Sequence, residues 1–177
     1  FGNRYLPLGI GAVVILQLFV ARYDVDGTLD STFGTNGVAT IDHGELTHNR
    51  AVRVAVRDDG TIVAFGAVFD STTLGTHFMT LRLAATGTLD TSFNGTGVVI
   101  QRFDGFTFAS AMALALDDNV VVAGSETNGH VIVRYNNDGS LDRTFRGTGI
   151  VRDRRDGFFP LRTALALQPA GAIVATI

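Results

Sequence analysis

Residues Ile132 to Ile150 read IVRYNNDGSLDRTFRGTGI, and this stretch decides the fold because the chain carries it three times. Phe19 to Val38 reads FVARYDVDGTLDSTFGTNGV, and Met79 to Val98 reads MTLRLAATGTLDTSFNGTGV. Each copy sets out an Arg (Arg22, Arg82, Arg134), a Gly five residues later (Gly27, Gly87, Gly139), a Leu-Asp pair, a Phe (Phe33, Phe93, Phe145) and a second Gly (Gly37, Gly97, Gly149). Gly27 and Gly87 are 60 residues apart and Gly87 and Gly139 are 52 apart, so the period is that of a whole supersecondary unit.

Working outward, a second block recurs between these copies: AVRVAVRDDGTIVAFG from Ala51, AMALALDDNVVVAG from Ala111 and TALALQPAGAIVAT from Thr163. Each reads as strand, turn, strand, with Asp59-Gly60, Asp118-Asn119 and Ala170-Gly171 at the turns, where positive φ is required. One unit then holds four strands, expected near Val38–Ile41, Ala51–Val56, Thr61–Ala67 and His77–Leu83. Four short antiparallel strands per repeat make a propeller blade. The expected division is a partial blade at 1–37, blades at 38–96 and 97–148, and a partial blade at 149–177. No window keeps apolar residues at helical spacing, so helices are not expected. The Ala alternation at Ala111, Ala113 and Ala115 leaves one strand face nearly bare, which suits close approach of neighbouring sheets.

The apolar run Leu6 to Val20 raises the question of a signal-peptide core or a membrane anchor. It is short for a span, which takes roughly 20 residues, and Leu6-Pro7 through Leu16 reads as a worn copy of Gln168-Pro169 through Thr176, so two strands are expected, at Gly11–Leu16 and Leu18–Tyr23. About three blades' worth of strands fall short of the usual closed ring, so further repeats or other protein chains are expected to complete it.

Composition excludes several classes. The net charge of −3 has no basic stripe to neutralise phosphates, which excludes a nucleic-acid interface. All fourteen basic residues are Arg, and there is no Cys, so lysine Schiff bases, cysteine nucleophiles, thiolate metal sites and disulfides are unavailable. No Gly-x-Ser-x-Gly elbow, phosphate-binding Gly-rich loop or dinucleotide fingerprint occurs.

The pattern Arg-Tyr-x-x-Asp-Gly-Ser-Leu-Asp-x-x-Phe-x-x-x-Gly, followed by Ala-x-Ala-Leu-Gln-x-x-Gly-x-Ile-Val, resembles the delta-60 repeat family over residues 18–177. The resemblance implies a bacterial β-propeller, often in exported or cell-surface proteins, with no general activity to carry over. Ala84 and Thr86 depart from it, because the second copy lacks the acidic turn residues there.

The repeated polar pairs are Arg22 with Asp30, Arg82 with Asp90 and Arg134 with Asp142. If Asp26-Gly27 forms a two-residue turn, Tyr23 falls opposite Asp30 and Arg22 lies diagonally from it. Each Asp is expected to cap a short turn by accepting backbone N–H groups, a scaffold role that suits a feature present in every blade. Asp24, Asp26 and Asp30, repeated as Asn136, Asp138 and Asp142, also form candidate calcium ligands, since hard cations take clustered oxygens. Against that, Thr35 and Gly147 stand where a calcium loop needs a bidentate Glu, and the second copy keeps only Asp90.

The segment Asp42 to His48 gathers Asp42, His43, Glu45 and His48 without the helical zinc spacing, and reads as a solvated loop. Phe103, Phe106, Phe108, Phe158 and Phe159 could stack on sugars, but their recurrence favours packing at a blade edge. The expectation is a non-catalytic structural or protein-interaction module without a cofactor. The alternatives are a hydrolase or lyase with an Asp/His site, and a glycan-binding propeller.

Overall fold

A computed structural model of the chain describes residues 18–41, 47–127, 129–154 and 163–176. Of the two strands expected at the start of the chain, Gly11–Leu16 lies outside the described residues, as does the Phe158-Phe159 loop, while the one expected at Leu18–Tyr23 is present as Leu18–Ala21. Twelve strands follow one another: β1 (Leu18–Ala21), β2 (Val38–Ile41), β3 (Thr47–Val56), β4 (Ile62–Asp70), β5 (Gly75–Leu83), β6 (Val98–Gln101), β7 (Thr107–Leu114), β8 (Val120–Glu126), β9 (Gly129–Tyr135), β10 (Ile150–Arg154), β11 (Leu165–Leu167) and β12 (Ile173–Ala175). Among the described residues there is no helix, and none long and apolar enough to cross a membrane.

Two four-stranded antiparallel sheets, β3-β4-β5-β6 and β7-β8-β9-β10, are flanked by the pairs β1-β2 and β11-β12. The sheets stack in chain order, with β1 against β3, β7 against β3, β4 and β5, and β11 against β7. The protein is all-β and propeller-like, and among the described residues its sheets do not close a ring. β7 carries the small residues Ala109, Ala111 and Ala113, and it is the strand that both neighbouring sheets approach.

The sequence repeat and the sheet are out of step by one strand. After the second Gly of each copy the chain turns back onto the strand it has just left, through Arg22 N–H to Gly37 O, Arg82 to Gly97 and Arg134 to Gly149, at 3.0, 2.9 and 2.9 Å. The strand that opens each repeat, at Val38, Val98 or Ile150, therefore pairs backward, β2 with β1, β6 with β5 and β10 with β9. The hydrogen-bonded sheets run from Thr47 to Gln101 and from Thr107 to Arg154.

Two apolar cores separate the layers. Leu18, Val20 and Ile41 of the first pair meet Ile62, Ala64, Met79 and Leu81 of the next sheet. Val63, Phe65 and Phe78, on the other face of that sheet, meet Val120, Val122, Val131, Val133 and Tyr135. Because alternate residues of β4 enter different cores, the strand is apolar on both faces, which explains its unbroken hydrophobic run. Phe78 sits edge-on to Phe65 and to Phe103, ring centres 5.1 Å away in both cases. Each such buried side chain contributes about 1.5–3 kcal/mol.

Candidate functional site

The repeated Arg, Asp and Phe converge on one local structure, made three times. Its geometry begins with the turn. Gly27 N–H donates to Asp24 O and Asp24 N–H to Thr28 O, with Gly27 at φ 86°, so three residues rather than two form the loop. This corrects the expected register: Tyr23 pairs with Leu29, and Asp30 N–H bonds to Arg22 O, so Arg22 stands directly across from Asp30. Asp-Gly serves both loop types, and the type I turn with a left-handed Gly takes the extra residue. The β7–β8 turn has the same three-residue loop, with Ala115 N–H donating to Asn119 O and Asp118 N–H to Ala115 O, and there it is Asp118, with φ 62°, that takes the left-handed conformation.

Across the hairpin, Arg Nε donates to Asp Oδ2 at 2.6 Å for Arg22–Asp30, 2.7 Å for Arg82–Asp90 and 2.6 Å for Arg134–Asp142. The other carboxylate oxygen accepts the backbone N–H and the hydroxyl of the residue two positions on, Thr32, Ser92 or Thr144, within 2.6–3.0 Å. That hydroxyl in turn accepts from Arg Nη2. The guanidinium carbon lies over the Phe33, Phe93 or Phe145 ring at 4.8, 5.1 and 4.7 Å. Hydrogen bonds from Thr32, Ser92 and Thr144 lead the causes that hold the Asp30, Asp90 and Asp142 carboxyls below the ordinary value.

The constellation is a joint between sheets. Arg22 Nη1 reaches Ala85 O at 2.6 Å, and Arg82 Nη1 reaches Asn137 O at 2.5 Å. Beside them Gly34 N–H donates to Thr86 O and Asn94 N–H to Asp138 O, at 2.8 and 2.7 Å. The turn of each following repeat thus plugs onto the Arg and Phe of the preceding one. Thr32, Ser92 and Thr144 belong to this network although sequence reading did not single them out; the Thr or Ser before each Phe was the available signal.

The candidate calcium ligands have other work. Asp30 and Asp142 spend both oxygens on Arg and Thr, while Asp26 and Asp138 bind the N–H and hydroxyl of Thr28 and Ser140 in their own turns. Asn136 Nδ2 donates to Ser140 Oγ. Among the described residues no three His, Asp or Glu side chains gather as a metal site would need. Residues 42–46, with Asp42, His43 and Glu45, lie outside the described residues, and of His48 only its place in β3 is described. Phe103 is buried, whereas Phe106 and Phe108 are about half exposed, on the flanks of the loop entering β7.

A second constellation, which sequence reading missed, lies at the β4–β5 turn. Thr73, His77, Arg102, Phe103 and Asp104 line a cleft of about 330 Å³. Asp70 Oδ1 caps the turn by accepting from the Thr72 N–H and hydroxyl, and Oδ2 pairs with Arg102 at 3.5 Å. These bonds pull the Asp70 carboxyl down to about 2. Burial pushes the His77 imidazole below its ordinary value, so the ring is neutral at pH 7. His77 Nδ1 accepts from Phe103 N–H at 3.3 Å, which leaves the ring proton on Nε2, 3.1 Å from Thr73 Oγ1. In that tautomer His77 donates to Thr73 and has no lone pair there to take a proton from it. A second hollow, of about 650 Å³, lies between residues of β7 and β8 and the β11–β12 pair, among them Leu114, Val121, Leu167 and Ile173.

No curated protein matches the chain. Two stretches, residues 15–33 and 116–145, match the sequence profile described as "Domain of unknown function (DUF5122) beta-propeller". The second stretch spans β8, β9 and the third Arg–Asp–Phe hairpin, so the profile and the four-stranded antiparallel sheets agree on one conclusion: this is an all-β chain of propeller type, similar over those residues to a propeller family of unknown function.

Proposed function

We propose that the chain is a non-catalytic propeller segment of the delta-60 repeat type, serving as a structural or protein-interaction module in an exported or cell-surface bacterial protein. The observation that carries this reading is where the repeated polar residues spend their bonding capacity. Arg22, Arg82, Asp30, Asp90 and their hydroxyl partners are consumed in joints between sheets, leaving them no donor or acceptor set aimed into a cavity. A group repeated in every blade and satisfied by its neighbours does scaffold work. The loops then remain as the variable surface on which a partner can be bound.

The hydrolase or lyase alternative has its best support in the cleft lined by His77 and Thr73, with the buried Asp70 capping the turn beside it. The ring proton on Nε2 and the committed oxygens of Asp70 weigh against a nucleophile–base pair there. The test has two arms. Purified chain assayed on ester, glycoside and polyuronate substrates is expected to give no turnover, while immobilised folded chain is expected to retain an identified protein that heat-unfolded chain does not. Turnover lost in a folded His77→Asn variant would overturn the reading.

A further inference from the structure

The cleft at the β4–β5 turn departs from the repeat. Between Asp70 and Gly75 the chain takes four residues to turn, where the equivalent β8–β9 turn, between Glu126 and Gly129, takes two. The longer turn forms one wall of the cleft, and the β6–β7 connection from Arg102 to Gly105 forms the other. An insertion confined to one repeat is not needed for stacking, and such loops are where repeat proteins carry binding. Leu74, at the tip of the insertion, has φ 53° and is 68% exposed. A Leu is strained in that left-handed conformation where Gly or Asn would be tolerated, and its side chain gains no burial in return. Gly75 sets how near the walls come, since a Cβ there would lie 2.8 Å from Gly105 O.

The polar groups of the cleft have bonding capacity left over. His77 Nε2 donates to Thr73 Oγ1, so the Thr73 hydroxyl keeps its own proton to donate. The Arg102 guanidinium makes a single 3.5 Å ion pair, with Asp70 Oδ2, and 59% of its side chain is exposed. Asp104, exposed on the same wall, bonds to no described residue through its carboxylate and does not pair with Arg102. Donors and an acceptor of opposite charge therefore stand together. An anion on Arg102 would face Asp104, and a cation on Asp104 would face Arg102. A neutral polyol satisfies both, because each hydroxyl donates and accepts. At about 330 Å³ the cleft lies at the small end of ligand pockets, which run from about 300 to 1,000 Å³, and so suits one ring and not an extended chain. Leu74, and the half-exposed Phe106 that follows Gly105, add the apolar surface that the C–H face of a sugar ring covers.

We propose that this cleft binds one neutral pyranose residue. Asp104 accepts from its hydroxyls, Arg102 and Thr73 donate to them, and Leu74 and Phe106 lie against its C–H face. The site needs no protein partner, so its failure would leave the module reading standing.

Saturation-transfer NMR on the purified chain tests it, with neutral hexoses and N-acetylhexosamines as the sugars, glycine as a zwitterion, and acetate and phosphate as anions. A sugar of the panel is expected to bind saturably. Asp104→Ala should weaken it about tenfold or more and Thr73→Val about threefold, while Asp117→Ala, in the β7–β8 turn at the opposite end of the strands, should leave it unchanged. Leu74→Gly removes the strain and the apolar rim together, so it is expected to weaken the sugar without lowering the melting temperature, a pair of effects that a folding defect does not produce. The proposal is overturned if no sugar of the panel binds, if Asp104→Ala leaves the binding unchanged, or if glycine, acetate or phosphate binds in place of the sugars.

Discussion

Arg82 Nε meets Asp90 Oδ2 at 2.7 Å, and only 6% of the Arg82 side chain remains exposed, against 34% for Arg22 in the equivalent pair. The same ion pair thus sits in two dielectric settings within one chain. Removing one partner from a buried pair leaves an uncompensated charge, and Arg82→Met is expected to cost about 3 kcal/mol. For Arg22→Met, with more solvent at hand, about 1 kcal/mol is expected. Urea denaturation of both variants checks this, and equal losses would show that burial of the joint does not govern its strength.

The joint shows how far sequence carries. The eight-residue spacing from Arg22 to Asp30 marked the pair, and the positive-φ demand marked Gly60 and Gly171. The register did not follow, because Asp-Gly is compatible with both two- and three-residue loops and the choice between them moved Asp30 from opposite Tyr23 to opposite Arg22. The plug-and-socket contact of Gly87 on Phe33 was not legible either, since it arises from the approach of two sheets and not from any local pattern. His77 and Arg102 escaped notice because they occur once, on different elements, and only the fold brings them to one cleft.

Acid is expected to act in two stages. His77 has a folded-state pKa below its ordinary 6.5, so it favours the folded chain above that value and the gain is lost as pH falls through the folded pKa. The depressed carboxyls, with Asp70 at about 2, contribute above 3.8 and lose their contribution between there and about 2. Stability measured against pH should therefore decline gently below about 6.5 and steeply below about 4. His77→Asn should remove the first limb, and Asp70→Asn should flatten the second. A His77→Asn profile identical to the parent's would refute the assignment.

Calcium or a chelator is expected to leave the melting temperature unchanged. Asp30 and Asp142 already bind Arg and Thr through both oxygens, so a cation would have to displace charge-assisted bonds before gaining any. A ligand that binds only the folded chain raises its midpoint with concentration. A calcium-dependent rise that Asp24→Ala or Asp138→Ala removes would assign the turns to the ion.

Two glycines separate backbone strain from contact at the joint. Gly139 and Gly147 both have positive φ, 84° and 76°, so replacing either with Ala incurs the left-handed penalty of about 1–2 kcal/mol. Only at Gly139 does the added Cβ meet a neighbour, 3.1 Å from the Phe93 ring and 3.0 Å from Asn94 N, while at Gly147 it meets nothing within 4 Å. Phe93 cannot swing aside, because it is fully buried beneath the Arg82 guanidinium. The strain terms cancel in the comparison, and the remainder is the cost of forcing the plug away from its socket, about 1–3 kcal/mol by analogy with overpacked cores. Gly139→Ala is therefore expected to lose that much more stability than Gly147→Ala in urea denaturation. Equal losses would mean that the third turn and the second Phe are not held against each other in solution.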